Sequence, residues 1–293
     1  MADIAASMPL PLPRGAREGR SRSLAYHAIL CLASIAMLYP LLWMLASSFK
    51  PESDIFGSAS LWPRDFSLGS YVRGWSGLQV TFGKFFVNSL IVSVSCVIGN
   101  VLSCSLTAYA FARLKFRGQN FWFALMLGTL MLPYHVTLIP QYILFLNLDW
   151  VDTFLPLIVP KFLAADAFFI FLLVQFFRTI PRELDEAAMI DGCGPWRIYW
   201  MVILPLSLPA LATAAIFTFI WTWDDFFGPL VYLNDMNSYT VQLGLRSFVD
   251  STGKSDWGAL FAMSTLTLLP VFAFFLFFQR LLIDGIATTG LKG

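Results

Sequence analysis

Few side chains in this 293-residue chain could carry out catalytic chemistry. Its two histidines, His27 and His135, lie far apart, and three of its four cysteines fall inside apolar stretches, leaving only Cys193 in a polar one. No Cys or His spacing is typical of a metal site, and no Gly-x-Ser-x-Gly or His-Glu-x-x-His motif occurs. The sequence therefore predicts a protein that is not an enzyme and needs no metal or cofactor.

One segment is superficially similar to the end of a phosphate-binding loop, with the letters STGKS at residues 251–255. Such a loop needs a second glycine five positions before Gly253, so that backbone N–H groups can wrap the phosphates. Phe248 occupies that position. We therefore expect no nucleotide site in this chain.

Ionisable residues inside apolar stretches deserve attention, because they are costly there and often mark transport pathways. Asp166 lies about 17 Å from the inner end of its stretch, at 1.5 Å per helical residue. Lys161 precedes it by five residues. Asp166 is thus a candidate pathway residue, although an interhelical hydrogen bond or a local pairing with Lys161 is favoured on physical grounds.

The composition indicates where these residues lie. Mean hydropathy is +0.70, hydrophobic residues make up 58% of the chain and charged residues only 13%. A soluble domain of this length could not bury so much apolar surface, whereas a bilayer can. The net charge of +1 gives no sign of a nucleic-acid partner. The fold class is therefore predicted to be an all-α integral membrane protein.

The apolar stretches predict six transmembrane helices, since roughly 20 residues cross the hydrocarbon core. Twelve Lys and Arg residues fall on the side of the N-terminus and six on the other, which favours cytoplasmic termini. The first stretch is too long for a cleaved signal and is expected to be a retained anchor. The spans lie near 24–49, 85–112, 121–146, 157–177, 206–223 and 259–281.

These boundaries divide the chain into four parts. A cytoplasmic polar tail covers 1–23, and the first transmembrane helix with an outer loop covers 24–84. The transmembrane core covers 85–281, including a long cytoplasmic loop at 178–205 between the fourth and fifth spans. A cytoplasmic tail covers 282–293.

That long loop contains the sequence EAAMIDGCGPWRIYWMVILP at 186–205. Its spacing predicts a first short helix ended by Gly192 and a second opened by Pro195. In the first helix, small residues at 187 and 188 permit close approach of a partner, and neighbouring acids favour a basic one. In the second, Trp196, Tyr199, Trp200 and Ile203 share a face expected to lie in the headgroup layer.

The loop resembles the EAA loop of binding-protein-dependent ABC transporter permeases. That pattern is Glu-Ala-Ala, three residues, Gly, nine residues, then Ile-x-Leu-Pro, and only Val202 departs from it. The flanking IPRELDEAAMIDG, the upstream MLPYHVTLIPQY and the final FQRLLIDGIATTGLKG are similar to the carbohydrate-uptake branch, of maltose type. The resemblance covers residues 24–293.

The resemblance implies an ABC type I importer fold and a permease subunit in a bacterial inner membrane. Its partners would be a second permease subunit, two copies of an ABC ATPase that hydrolyses ATP, an extracytoplasmic solute-binding protein and the lipid bilayer. The transported solute would be a carbohydrate, a polyol or a glycerol-phosphate-like compound. The first loop helix would seat in a cleft of the ATPase. The residues that would couple to it are Glu186, Ala187, Ala188, Asp191 and Gly192.

The run WTWDDF, after the fifth span, is also similar to the family, although Asp224 stands where the family usually has Asn. Together with Asp166, its residues Trp223, Asp224 and Asp225 are candidates for the solute pathway or gate. Three other interpretations stay open: an ABC permease for a non-carbohydrate solute, a secondary transporter and an intramembrane enzyme. The EAA spacing argues against a secondary transporter, and the lack of a catalytic motif in the sequence argues against an intramembrane enzyme.

Overall fold

The computed structural model describes residues 15–57, 60–249 and 255–290. The tail before residue 15 and most of the STGKS segment lie outside the described residues. The described chain is helical. Its first four helices are α1 (Gly15–Ser47), α2 (Glu52–Ile55), α3 (Gly69–Ser76) and α4 (Phe82–Arg113).

The remaining elements are also helices, several of them short. They are α5 (Gln119–Thr129), α6 (Tyr134–Asn147), α7 (Leu155–Phe162), α8 (Ala167–Thr179), α9 (Glu183–Ile190), α10 (Pro195–Ile198), a π-helical segment (Tyr199–Ile203), α11 (Leu204–Leu206), α12 (Leu208–Trp223), α13 (Phe227–Tyr232), a 3-10 turn (Met236–Ser238), α14 (Val241–Arg246) and α15 (Trp257–Gly290).

Within the described ranges, four helical stretches are long and apolar enough to cross a membrane. A fifth is added if the bent pair Pro195–Leu206 and Leu208–Trp223 counts as one span. All lie at predicted spans, so the helical membrane class is confirmed, and the count of six stays a prediction. The four are Tyr26–Ser47, Phe82–Arg113, Leu155–Thr179 and Trp257–Arg280.

The predicted third span, 121–146, is not one continuous helix. It is divided into α5 and α6 by residues 130–133. Pro133 lacks a backbone N–H and disfavours helical geometry in the residue before it, which accounts for the break. The predicted fourth span is also interrupted, at 163–166, where Ala164 adopts a φ of 53°.

Helix α4 is the centre of the fold and packs against α7, α8 and α12, while α15 packs against α12, α3 and α1. Polar side chains join these helices inside the apolar packing. Asn100 Nδ2 donates to Thr218 Oγ1 at 2.8 Å, and both residues are buried. Such interhelical hydrogen bonds fix the relative positions of membrane helices.

An ion cluster holds the short helices α2 and α3 to the first turn of α15. Arg73 Nε lies 2.9 Å from Asp256 Oδ2, and Arg73 also approaches Glu52 at 3.5 Å. The two carboxylates accept the free backbone N–H groups of Trp257, Gly258 and Ala259 at 2.9 Å each. These acids therefore cap α15, which is the arrangement favoured at a helix N-terminus.

Candidate functional site

The first loop helix, α9, presents an exposed face. Its first turn carries the acids Glu183, Asp185 and Glu186, which favour the positive end of the helix dipole. Glu186 and Ala187 are exposed, and Ile190 is 87% exposed. Ala188 instead packs against the chain's own core, so only one of the two alanines is available to a partner.

Gly192 ends α9 in the way that the sequence predicts. Its φ is +82°, a left-handed conformation that a glycine adopts without steric cost. The backbone N–H of Cys193 donates to the carbonyl of Ala188 at 2.9 Å, and that of Gly192 to Met189 at 3.0 Å. These two bonds form a Schellman motif, which satisfies the last carbonyls of the helix. Asp191, at the helix end, is exposed.

An ion pair anchors α9 to the end of α4. Arg113 Nη1 lies 3.3 Å from Asp185 Oδ2, with side-chain exposures of 3% and 14%. Arg113 Nη2 also donates to the carbonyls of Phe177 and Ile180, each at 2.7 Å. One guanidinium thus joins α4, the end of α8 and the loop helix. In the sequence, Arg113 is recognisable only as one of the twelve inner-side charges. Asp185 is one of four acids in ELDEAAMID, and nothing in its type or spacing indicates that it faces inwards.

The sequence predicts one shared face for the four aromatic and aliphatic residues of the second loop helix. The structure instead divides them between the core and the exterior. Tyr199 and Ile203 are fully buried, whereas Trp196 is 63% exposed and Trp200 is 46% exposed. The Tyr199 hydroxyl hydrogen-bonds Ser105 Oγ of α4 at 2.8 Å. A π-helical turn at Tyr199–Ile203 widens the residue spacing, which a strict α-helical projection does not account for.

The chain then turns sharply into the fifth predicted span. The segment Pro195–Leu206 and the helix Leu208–Trp223 are bent by 78° about Ser207. Pro205 and Pro209 flank the bend, and prolines disrupt helical hydrogen bonding there. The bend turns α12 sharply away from the direction of the loop helices.

A cavity of about 630 Å³ is lined in part by Asp166. Asp166 Oδ2 accepts from Lys161 Nζ at 2.7 Å, so the local pairing considered above is present. Both side chains are nevertheless partly exposed and line the cavity. The pairing and the pathway interpretations of Asp166 are therefore compatible.

The three WTWDDF candidates lie in different surroundings. Trp223 is buried, donates its Nε1–H to the carbonyl of Thr267 at 3.1 Å and stacks on Phe219. It belongs to the packing between α12 and α15 rather than to the lining of the large cavity. Asp224 is exposed and accepts from Gln242 Nε2 at 3.3 Å. Asp225 lines the cavity, and its Oδ1 accepts from the N–H of Gly228 at 3.1 Å.

These features define a class of protein: a helical membrane component with a cavity among its helices and a rigid, exposed loop helix. Residues 99–288 match the model of the binding-protein-dependent transport system inner membrane component family. The chain belongs to that family.

Known relatives extend the match over most of the chain. It is 36% identical over 266 residues to the probable ABC transporter permease protein YurM of Bacillus subtilis, covering 90% of this chain and 87% of the relative. It is 34% identical to the diacetylchitobiose uptake system permease protein NgcG of Streptomyces coelicolor, with coverages of 87% and 84%. It is 32% identical to the trehalose/maltose transport system permease protein MalG of Thermococcus litoralis, with coverages of 89% and 94%.

The fold is also found among solved structures. A chain from the crystal structure of a bacterial ABC transporter involved in the import of the acidic polysaccharide alginate superposes with a TM-score of 0.80 at 22% identity. The superposition covers 92% of this chain and 99% of that chain. At this identity the likeness shows the shared fold alone.

Proposed function

We propose that this chain is a permease subunit of an ATP-driven, type I ABC importer for a carbohydrate. The observation that carries the proposal is the exposed helix α9, which is held rigidly by Arg113 and by the Schellman motif at Gly192. The names of the relatives NgcG and MalG, which refer to diacetylchitobiose and to trehalose and maltose, support a carbohydrate as the cargo.

The coupling surface of this importer consists of the exposed part of α9 and its C-terminal turn. Glu186 pairs with a basic residue of a cytoplasmic ATPase, and Ala187 packs in the ATPase cleft. Asp191 lies beside that contact, and Gly192 permits the turn that follows. Ala188 contributes by fixing α9 to the core rather than by touching the ATPase, because it packs inwards.

The proposal includes the assembly and its orientation. This chain pairs with a second permease subunit, two ATPase copies dock on the cytoplasmic side, and a binding protein delivers the solute from outside. Both termini lie in the cytoplasm of a bacterial cell, and the six predicted spans cross its inner membrane. Asp166 and Asp225 line the solute pathway, and the exposed Asp224 lies at its outer gate.

Expression of the chain together with its companion permease, ATPase and binding protein tests this proposal. The chain is expected to co-purify with the ATPase, and proteoliposomes are expected to accumulate a labelled sugar only with ATP and the binding protein. Uptake that proceeds without ATP on an imposed ion gradient, with no ATPase bound, would instead identify a secondary transporter.

A further inference from the structure

The cavity that contains Asp166 has the size and lining of a small-molecule site. Its volume of about 630 Å³ falls within the range of roughly 300–1,000 Å³ found for ligand pockets. It lies where α6, α7, the start of α8 and α13 meet. Its polar lining residues include Gln141, Lys161, Asp166, Asp225 and Tyr232.

Tyr232, which lines this cavity, carries an unused hydrogen-bonding group. The residue is 3% exposed, and its hydroxyl has no hydrogen-bond partner among the described residues. Its ring is held in place by Tyr142, stacked at 6.3 Å, and by Phe145, edge-on at 5.4 Å. Buried hydroxyls in native proteins are nearly always hydrogen-bonded, so a rigid, unpartnered one beside a cavity indicates that a ligand group completes it.

The charges of the cavity indicate what kind of ligand that is. Among the described lining residues, Lys161 is the only cation, and its ammonium group is already paired with Asp166 at 2.7 Å. Asp225 adds a second carboxylate to the lining. An anionic solute would meet no unpaired cation and two carboxylates, whereas sugar hydroxyls can donate to carboxylates in charge-assisted hydrogen bonds.

We infer that this cavity is a transit subsite for a neutral carbohydrate, in which Tyr232 and Asp225 hydrogen-bond sugar hydroxyls and acidic or phosphorylated sugars are excluded. The inference rests on the proposed importer function and names its substrate class. The alginate transporter is involved in the import of an acidic polysaccharide, whereas a neutral solute is inferred for this chain, whose likeness to that transporter extends to the fold alone.

The test uses the complete complex in proteoliposomes, with its binding protein and ATP. The neutral probes are labelled maltose, cellobiose and diacetylchitobiose; the anionic probes are cellobiouronic acid and glycerol 3-phosphate. At least one neutral probe is expected to be taken up, and neither anionic probe. Tyr232→Phe is expected to lower kcat/KM for uptake about three- to tenfold, the effect of one neutral hydrogen bond. Asp225→Asn is expected to lower it tenfold or more.

Tyr142→Phe is the matched control, because its ring packs on Tyr232 but does not line the cavity. It is expected to leave uptake at the parent level. Tyr232→Phe is also expected to retain complex assembly and thermal stability, since it removes a hydroxyl that has no hydrogen-bond partner among the described residues. A loss of uptake with intact assembly therefore reports on solute contact rather than on folding.

Three outcomes would overturn the inference. If uptake is unchanged in both Tyr232→Phe and Asp225→Asn, the cavity does not contact the solute, although the importer function stands. If the parent complex takes up an anionic probe, the charge argument is wrong and the importer function again stands. If no probe is taken up with ATP and no ATPase is bound, the proposed function and this inference fail together.

Discussion

The ion pair between Arg113 and Asp185 should determine how firmly the loop helix is held, and the substitution Asp185→Asn tests this. Breaking a buried pair by removing one partner can cost about 3–5 kcal/mol. Here the cost is smaller for two reasons. The pair has a single contact at 3.3 Å, with Asp185 Oδ1 and Arg113 Nε lacking partners among the described residues. Asparagine also keeps an acceptor for the guanidinium. We expect a loss of about 1–3 kcal/mol, as for a hydrogen bond to a charged group.

This loss should appear as local opening of α9. A change of about 1–3 kcal/mol corresponds to roughly 5- to 150-fold in an equilibrium constant. Hydrogen–deuterium exchange of residues 183–190 in the purified complex should accelerate by a factor in that range, and substrate-stimulated ATPase activity should fall. Glu183→Gln is the control, since it removes an exposed first-turn acid from the same helix and should accelerate exchange only by the smaller loss of a dipole contact, about 0.3–1 kcal/mol. Equal exchange in Asp185→Asn and the parent would refute the anchoring role of Arg113.

Three further predictions concern other parts of the chain. A cysteine at Ser238 should react with a membrane-impermeant label from outside, and one at Gly118 only after permeabilisation; the reverse pattern would contradict the six-span topology. Gly192→Ala should destabilise the loop by about 1–2 kcal/mol, because a side chain resists a positive φ. Gly194→Ala, at a φ of −77°, should cost less. Equal melting temperatures for the two variants would refute this. Burial alone would raise the pKa of Asp256, but hydrogen bonds from Arg73 and Ala259 hold that pKa below its usual range. The carboxylate therefore stabilises the fold above its unfolded pKa of about 3.9, and this contribution is lost as the pH falls through the folded value. The difference in melting temperature between the parent and Asp256→Asn should be present at neutral pH and shrink in acid; a difference that does not change with pH would contradict it.

Much of the architecture is predictable because it follows from local patterns. Hydropathy locates the apolar helices, and the left-handed turn at Gly192 follows from a glycine at the end of an amphipathic stretch. The bend at Ser207 follows from the prolines around it. The EAA spacing identifies the family without reference to any long-range contact.

What the sequence does not predict depends on tertiary packing. The burial of Tyr199 and Ile203, on the same short segment as two exposed tryptophans, depends on packing against the core, and the π-helical turn there has no clear signature in the letters. The division of the third predicted span at Pro133 is readable as a proline signal, yet the apolar run through it suggests continuity. The roles of Asp185 and Tyr232 arise from partners or cavities far along the chain, so neither residue is distinguishable from its neighbours by type or spacing.

The measurement that most directly tests the account is substrate-stimulated ATPase activity of the reconstituted complex carrying Glu186→Lys or Glu186→Gln. Removing one partner of a desolvated interface pair costs about 2–5 kcal/mol, and charge reversal adds repulsion. Glu186→Lys should therefore reduce stimulated ATPase activity and ATPase co-purification more than Glu186→Gln does. Asp65→Lys, an exposed charge reversal in the predicted outer loop, should leave ATPase co-purification unchanged. Parent-level activity and co-purification in Glu186→Lys would contradict the assignment of α9 as the coupling helix.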